Sequence, residues 1–153
     1  MIKVLIILSI VALDQVTKYL AVAHLRDLGT IEIVRGVFSL TYVENRGAAF
    51  GILQNQRWFF IVLTIIVCIG IAYFLFTQSN TSLILRISLI MVLGGAIGNL
   101  IDRVRLGYVV DMLHFTLIDF PVFNIADCFV VMGTILLAYY ILFIGDRVEN
   151  ELV

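Results

Sequence analysis

Long apolar stretches alternate with shorter polar segments along the whole chain. A hydrocarbon core of about 30 Å is crossed by about 20 helical residues, each rising about 1.5 Å. Four stretches have this length, at residues 3–23, 57–77, 83–102 and 125–145. The pattern therefore predicts four membrane-spanning helices.

The segment between the first two spans, about 29–55, loses the helical period. Within it, Ile31 to Val43 has the composition of short strands, and Arg35-Gly36 is a plausible turn between them. We therefore predict a small sheet outside the membrane.

The two later connections differ in length. Residues 104–124 are aromatic, acidic and only partly apolar, and we expect this loop to fold back against the helices. The link from Gln78 to Ser82 is short and polar, so the second and third spans should be antiparallel neighbours.

Composition agrees with a membrane protein, since 62% of the residues are hydrophobic, 14% are charged and the mean hydropathy is +1.11. A net charge of -1 with scattered Lys and Arg residues gives no footprint for nucleic acid. Pro121 is the only proline and nothing marks a linker, so residues 1–153 are predicted to form one integral membrane domain. Asp14 and Lys18 interrupt the first apolar run, which favours a retained span over a cleaved signal peptide.

Ionisable side chains inside membrane spans are costly and usually mark functional sites. Asp14 and Lys18 are four residues apart and share one helix face, where they can neutralise each other. Asn99, Asp102 and Arg103 share a face at one end of the third span, where they can anchor a loop or grip a substrate.

Glycines precede this polar set on the third span. Gly94 and Gly98 form a GxxxG face, which predicts close contact with a neighbouring helix.

Two further carboxylates are expected near the same membrane face. Asp111 lies in the loop after the third span, and Asp127 lies where the fourth span begins. Two carboxylates held close together share a proton, so one can activate water while the other polarises a peptide carbonyl. Their spacing does not by itself show that they meet.

Motifs for other hydrolytic chemistries are missing, since the chain has neither HExxH nor GxSxG. Cys68 and Cys128 lack a CxxC or a neighbouring His, so neither a metal site nor a redox site is indicated.

Five sequence blocks together resemble the lipoprotein signal peptidase (signal peptidase II) family of bacterial membrane aspartic peptidases. They recur in order over about 115 residues, and their joint specificity is far higher than that of any one of them. The blocks are Asp14-Gln15-Val16-Thr17-Lys18, Asn45-Arg46-Gly47-Ala48-Ala49-Phe50, residues 94–103 (GGAIGNLIDR), Val109-Val110-Asp111 and Phe123-Asn124-Ile125-Ala126-Asp127.

The resemblance implies roles for the residues in these blocks. Asp111 and Asp127 would be the catalytic pair. The residues expected to bind substrate or position the pair are Asn45, Gly47, Asn99, Arg103 and Asn124. Structural support is expected from Asp14, Lys18 and Asp102, with the first two supporting the β-rich lobe.

The implied substrate is a prolipoprotein that carries diacylglycerol on a cysteine and is cut just before that cysteine, which releases the signal peptide. Membrane lipid is the other expected partner, no metal or organic cofactor is implied, and we expect a monomer. The Asn45-Arg46-Gly47 segment is interpreted as a mobile lip that contacts the substrate.

Orientation is not settled by charge, because Arg26, Arg35, Arg46, Arg57 and Arg105 lie on one side and Lys3, Arg86 and Arg147 on the other. A positive-inside count would place the richer side in the cytoplasm. The resemblance implies the opposite arrangement, with both termini cytoplasmic and the site near the extracytoplasmic face of the cytoplasmic (inner) membrane. The expected fold class is a membrane all-α bundle of four transmembrane helices with a small extracytoplasmic β-rich cradle.

Other classes of function compete with this interpretation. A small proton-coupled transporter or conduit would use the ionisable residues Asp14, Lys18, Asp102, Asp111 and Asp127 as a relay. Such a relay needs polar groups at several depths, whereas these cluster at one end. A magnesium-dependent lipid head-group enzyme would use the aspartates as ligands and be sensitive to EDTA. A structural scaffold would leave the carboxylates unexplained.

Overall fold

The computed structural model describes residues 1–47, 52–78, 81–118 and 120–145. In these ranges the helices are α1 (Ile2–Leu25), α2 (Arg57–Thr77), α3 (Leu83–Arg105) and α4 (Ile125–Phe143). The strands are β1 (Ile31–Val34), β2 (Phe38–Asn45) and β3 (Val109–Phe115). All four helices are long and apolar enough to cross a membrane. The predicted fold class, a four-helix membrane bundle with a small sheet, is confirmed.

The helix bounds differ little from the predicted spans. α2 has the predicted bounds, whereas α3 continues to Arg105 instead of ending at residue 102. Ala48, Ala49 and Phe50 of the second sequence block lie outside the described residues, as does Arg147.

The sheet has the order β1-β2-β3 and both pairings are antiparallel. The predicted turn joins β1 to β2, and Gly36 lies there with a φ of 70°, a left-handed conformation that favours glycine. β3 was not predicted as a strand, because the polar Asp111 and His114 break its apolar pattern. It forms because the edge of β2 offers it a ladder, and its first four residues are buried.

α3 is the central helix and packs against each of the other three, most extensively against α4. Small residues permit this, because a Cβ at Gly94 would lie 2.8 Å from the Ile10 side chain and a Cβ at Gly98 would lie 2.5 Å from Asp14 Oδ2. The predicted GxxxG contact is therefore confirmed, and its partner is α1. Gly95 points to the opposite side, toward the first turns of α4.

The outward faces of α2 and α4 are apolar and exposed on the protein. The most apolar 18-residue stretch of α2 has a mean hydropathy of 2.9, and only 11% of that stretch is buried within the chain. Trp58, Ile66, Ile69 and Phe76 are among its exposed side chains. Surface of this kind is suited to contact with lipid.

Gly95→Ala is expected to lower the free energy of unfolding by about 1–3 kcal/mol, because the added methyl group would overlap the Ala126 carbonyl oxygen and approach Val130. A backbone carbonyl in the first turn of α4 cannot move aside without shifting that helix. The check is detergent-solubilised unfolding, compared with Gly70→Ala as a matched control. A Cβ at Gly70 meets nothing within 4 Å, so this variant should match or slightly exceed the wild type. Equal losses in both would contradict the close α3–α4 contact.

Candidate active site

Four elements bring the predicted site residues together at one end of the bundle. Asp111 lies on β3 and is 1% exposed, and Asp127 lies in the first turn of α4. Asn45 is the last residue of β2, and Asn124 is the N-cap of α4. Asn99 lies near the C-terminal end of α3. Asp127 is close enough to Asp111 for its charge to act on that carboxyl group.

The start of α4 is fixed by a capping box. Asn124 Oδ1 accepts a hydrogen bond from the Asp127 N–H at 2.9 Å, and Asp127 Oδ2 accepts one from the Asn124 N–H at 3.2 Å. The two side chains thereby satisfy backbone donors that the helix itself leaves unpaired. The cap orients the Asp127 carboxylate and places it at the positive end of the α4 dipole.

Three asparagine side chains donate to the two aspartates. Asn124 Nδ2 donates to Asp111 Oδ1 at 2.6 Å, and Asn45 Nδ2 donates to Asp111 Oδ2 at 2.9 Å. Asn99 Nδ2 donates to Asp127 Oδ1 at 2.7 Å. Together with the backbone N–H of Asn124, these bonds give each of the four carboxylate oxygens one N–H donor. Each oxygen keeps a further lone pair for a proton, a water or a substrate.

A buried ion cluster lies next to the two aspartates. Lys18 Nζ lies 2.9 Å from Asp14 Oδ2 and 3.0 Å from Asp102 Oδ2. The predicted pairing of Asp14 with Lys18 is thus observed, and Asp102 joins it. Asp102 Oδ2 also accepts a hydrogen bond from the N–H of Val110, which is part of β3 and precedes Asp111.

Asp14 makes the equivalent bond to α4. Its Oδ1 accepts a hydrogen bond from the Ala126 N–H at 2.9 Å, and Ala126 precedes Asp127. The ion cluster therefore holds the backbone immediately before each of the two aspartates.

Arg103 lies beside the pair, with its guanidinium 5.0 Å from the centre of the Phe60 ring. Its Nη2 donates to the Gly47 carbonyl at 3.3 Å, and the Gly47 N–H donates to Asn45 Oδ1. Gly47 is also tightly enclosed, since a Cβ there would lie 2.7 Å from the Ile52 carbonyl oxygen. These contacts place Asn45, Gly47 and Arg103 on the same side of the site.

Burial and, to a smaller extent, the nearby charge of Asp127 raise the pKa of Asp111 to about 7. Hydrogen bonds from Asn45 and Asn124 act in the opposite direction. The carboxyl group of Asp111 is therefore poised to exchange a proton near neutral pH.

Sequence reasoning gave no role to two residues that contact the site. Gln15 Nε2 donates to Asp102 Oδ1 at 2.9 Å and to the Gly98 carbonyl at 3.2 Å. Arg57 caps the end of α3, where its Nε donates to the Arg103 carbonyl at 2.7 Å and its Nη2 to the Val104 carbonyl at 2.8 Å. Gln15 adjoins Asp14 within an intramembrane polar run, a signal that pointed to it. Arg57 carried no such signal in the sequence, because its partners are backbone carbonyls, which every residue type has.

In the described part of the chain, no group of three or more His, Cys, Asp or Glu residues is arranged to hold a metal ion. Cys68 and Cys128 are free and only half-buried, and they lie on different helices.

Comparison with known proteins finds a matching family. A family model described as Signal peptidase (SPase) II matches residues 6–143. A lipoprotein signal peptidase of Clostridioides difficile (strain 630) is 49% identical over 147 residues, covering 96% of this chain and 99% of that protein. A lipoprotein signal peptidase of Caldanaerobacter subterraneus subsp. tengcongensis is 52% identical over 143 residues, covering 93% of this chain and 97% of that protein.

Solved structures are similar as well. One, described as a bacterial membrane enzyme structure obtained by the in meso method at 2.3 Å resolution, has a TM-score of 0.86 and 36% identity, covering 92% of this chain and 87% of that chain. A second, obtained by the same method at 1.9 Å, has a TM-score of 0.83 and 35% identity, covering 93% of both chains. The family match extends over most of the sequence and all four helices, so the chain belongs to the signal peptidase II family of multi-pass bacterial membrane peptidases.

Proposed function

We propose that this peptidase is an aspartic endopeptidase that removes the signal peptide from diacylglyceryl-modified prolipoproteins, cutting just before the lipidated cysteine. The observation that carries the proposal is the pairing of Asp111 with Asp127, in which every carboxylate oxygen accepts an N–H donor and the pKa of Asp111 is raised to about 7. The relatives described as lipoprotein signal peptidases support the choice of substrate.

The two aspartates differ in environment, and this assigns their roles. Asp127 lies at the N-terminus of α4, where it accepts a backbone N–H and where the helix dipole favours its carboxylate form. Asp111 is more deeply buried and its raised pKa favours the protonated form. In the resting enzyme Asp127 is therefore the base, and Asp111 carries the shared proton.

Hydrolysis then proceeds without a covalent intermediate. Asp127 takes a proton from water as the water oxygen attacks the peptide carbonyl carbon, and Asp111 donates its proton to the carbonyl oxygen. The tetrahedral intermediate collapses as Asp127 gives its proton to the leaving nitrogen and Asp111 recovers one from a hydroxyl group. Both aspartates return to their starting forms, and the products are a carboxylic acid and an amine.

Three groups beside the pair are suited to bind the substrate chain. Asn45, Gly47 and Arg103 lie on one side of the site, and the Arg103 guanidinium can hydrogen-bond to peptide or ester carbonyls. In this proposal Arg103 exchanges its bond to the Gly47 carbonyl for one to the substrate. In this proposal the exposed apolar faces of the helices contact membrane lipid, and the enzyme acts as a monomer, since the site residues described above all come from one chain.

In the proposed orientation both termini are cytoplasmic and the site lies near the extracytoplasmic face of the cytoplasmic membrane. A positive-inside count favours the opposite orientation, because more arginines lie on the site side. Some of these arginines, however, have local partners. Arg57 caps α3, and Arg46 pairs with Glu44 at 3.0 Å. Arginines fixed in folded contacts are weak topology signals. Green fluorescent protein fused to the C-terminus should fluoresce, since it folds in the cytoplasm; a dark but stable fusion would reverse the orientation.

The clustering of charges disfavours the transporter alternative. In the described residues of α2 and α4, the only Asp, Glu, Lys or Arg side chains are Arg57 and Asp127, and both lie in a first turn. A proton relay across the bilayer would need further groups along these helices.

The experiment that tests the function is cleavage of a diacylglyceryl-modified prolipoprotein in detergent, with the product identified by mass spectrometry. We expect a mature chain that begins with the lipidated cysteine, formed at the same rate with and without EDTA. The same precursor without diacylglycerol is the matched control and should be cut far more slowly. A different cleavage position would overturn the assigned specificity, loss of activity in EDTA would favour metal catalysis, and no cleavage would favour a transporter.

A further inference from the structure

Lys18 uses every hydrogen-bond donor of its ammonium group. Its Nζ contacts Asp14 Oδ2 at 2.9 Å, Asp102 Oδ2 at 3.0 Å and Asn99 Oδ1 at 2.8 Å, and the residue is 3% exposed. An ammonium group has three donors and no acceptor. The contact with Asn99 is therefore one-directional, and it links the ion cluster to the amide that donates to Asp127.

This contact fixes which way the Asn99 amide points. Its oxygen faces Lys18, so its nitrogen faces Asp127 Oδ1 at 2.7 Å. A half-turn of the amide would set its NH₂ group against the ammonium and its oxygen against the carboxylate. Both contacts would then be repulsive, and there is no bulk water in this buried cluster to relieve them.

The other two asparagines at the site are oriented locally. The Asn124 oxygen accepts from the Asp127 N–H, and the Asn45 oxygen accepts from the Gly47 N–H. Among the described residues, no backbone N–H donates to the Asn99 oxygen in this way. Apart from Lys18, its oxygen receives only a longer bond of 3.2 Å from Asn124 Nδ2. The direction of the Asn99 amide therefore depends mainly on a residue from another helix.

We propose that Lys18 is a positioning residue for the reaction, which directs the Asn99 amide toward Asp127 and so keeps that carboxylate ionised and aimed as the base. This inference rests on the proposed aspartic mechanism and assigns Lys18 more than support of the sheet. Through Asp102 and Asp14, the same ammonium also stabilises the acceptors that hold Val110 and Ala126. Lys18 thus acts on both aspartates without contacting the substrate.

The test compares two variants that differ only at Lys18. Asp102→Asn keeps the ammonium with Asp14 and Asn99, while Lys18→Met/Asp102→Asn removes it together with one buried negative charge, which leaves the net charge of the cluster as in the wild type. Lys3→Met is the matched control, because Lys3 is also on α1 and donates to the Leu75 carbonyl at 2.6 Å, at the other end of the helix.

We expect the double variant to have a kcat about 10- to 100-fold below that of Asp102→Asn, the usual cost of losing a group that orients a catalytic residue, with little change in KM. The acidic limb of its pH–rate profile should move to higher pH, because the base loses an N–H donor. The charged groups near that base are Lys18 and Asp14 from α1, Asp102 and Arg103 from α3, and Asp111 from β3. Lys3→Met should match the wild type in kcat and in pH profile.

A measurement on the wild type avoids reliance on variants that fail to fold. Solid-state NMR of protein labelled with ¹⁵N in Asn side chains and ¹³C in Asp carboxyls should show strong dipolar coupling between Asn99 Nδ2 and Asp127 Cγ. Absence of that coupling would overturn the proposal. An unchanged kcat and pH profile in the double variant would also overturn the proposal. In that case, inactive Asp111→Asn enzyme would show that the aspartic mechanism itself still holds. Active Asp111→Asn enzyme would instead refute the proposed function.

Discussion

Asp111→Asn and Asp127→Asn are each expected to cleave the lipidated precursor about 10³- to 10⁴-fold more slowly than the wild type. An amide at position 127 cannot take a proton from water, and an amide at position 111 cannot supply one to the carbonyl oxygen. The Asn variants also place an NH₂ group opposite an existing amide donor, since all four carboxylate oxygens accept N–H bonds. The measurement is kcat/KM in detergent for each purified variant.

In the proposed mechanism the two aspartates act as one unit, so the losses of activity in the two single variants should not add. Once either is replaced, the other has no partner with which to exchange the shared proton. The double variant Asp111→Asn/Asp127→Asn should therefore be no slower than the slower single variant. A further large loss in the double variant would show that the two carboxylates work independently.

Asp27→Asn is the matched control for these substitutions. Asp27 follows α1 at the same end of the bundle and is exposed, so its replacement should leave kcat/KM unchanged. Thermal unfolding of each variant separates lost chemistry from lost structure. A folded Asp111→Asn or Asp127→Asn protein with wild-type activity would refute the proposed mechanism.

The helical part of the fold was predictable because a membrane imposes simple rules on sequence. A helix that crosses the bilayer satisfies its own backbone and must be about 20 residues long and apolar, and α2 shows this most clearly, with Arg57 as its only charged residue. The β3 strand was not predictable in this way. Its ladder partner lies about 70 residues earlier, and its own pattern is interrupted by the residue that faces the site.

The sequence blocks predicted which residues lie at the candidate site, but not the hydrogen bonds and ion pairs among them. Asp14 and Lys18 were recognisable as a pair because helical spacing puts them on one face. Nothing in their spacing indicated that Asp102 would join them, or that each carboxylate would hold the backbone next to a proposed catalytic aspartate. These bonds depend on how α1, α3, α4 and β3 pack, which local sequence does not encode.

The capping box is an intermediate case. Asn124 and Asp127 have the spacing of an N-cap and its partner three residues later, so the start of α4 carried a readable signal. The sequence did not show that the same two residues also belong to the site. The Asp127 carboxylate is both part of the helix cap and the proposed base. The start of α4 therefore fixes the position of the proposed base.

The activity should fall steeply above neutral pH. In the proposed mechanism Asp111 must be protonated to act as the acid, and burial together with the charge of Asp127 raises its pKa to about 7. As the pH rises through this value, the fraction of enzyme with the required proton falls about tenfold per pH unit, so kcat/KM at pH 9 should be about 100-fold below its maximum. At low pH a second proton neutralises the base, and the complete profile should be bell-shaped.

The basic limb of this profile can be assigned by removing one hydrogen bond to Asp111. Asn45 Nδ2 donates to Asp111 Oδ2 at 2.9 Å and lowers the pKa of that carboxyl group by favouring its ionised form. Asn45→Ala should therefore raise the pKa and move the basic limb to higher pH, whereas Asp27→Asn should leave it in place. The readout is kcat/KM between pH 5 and 9.5, because that ratio reports groups on the free enzyme. A basic limb that Asn45→Ala does not move would mean that a group other than Asp111 supplies the proton.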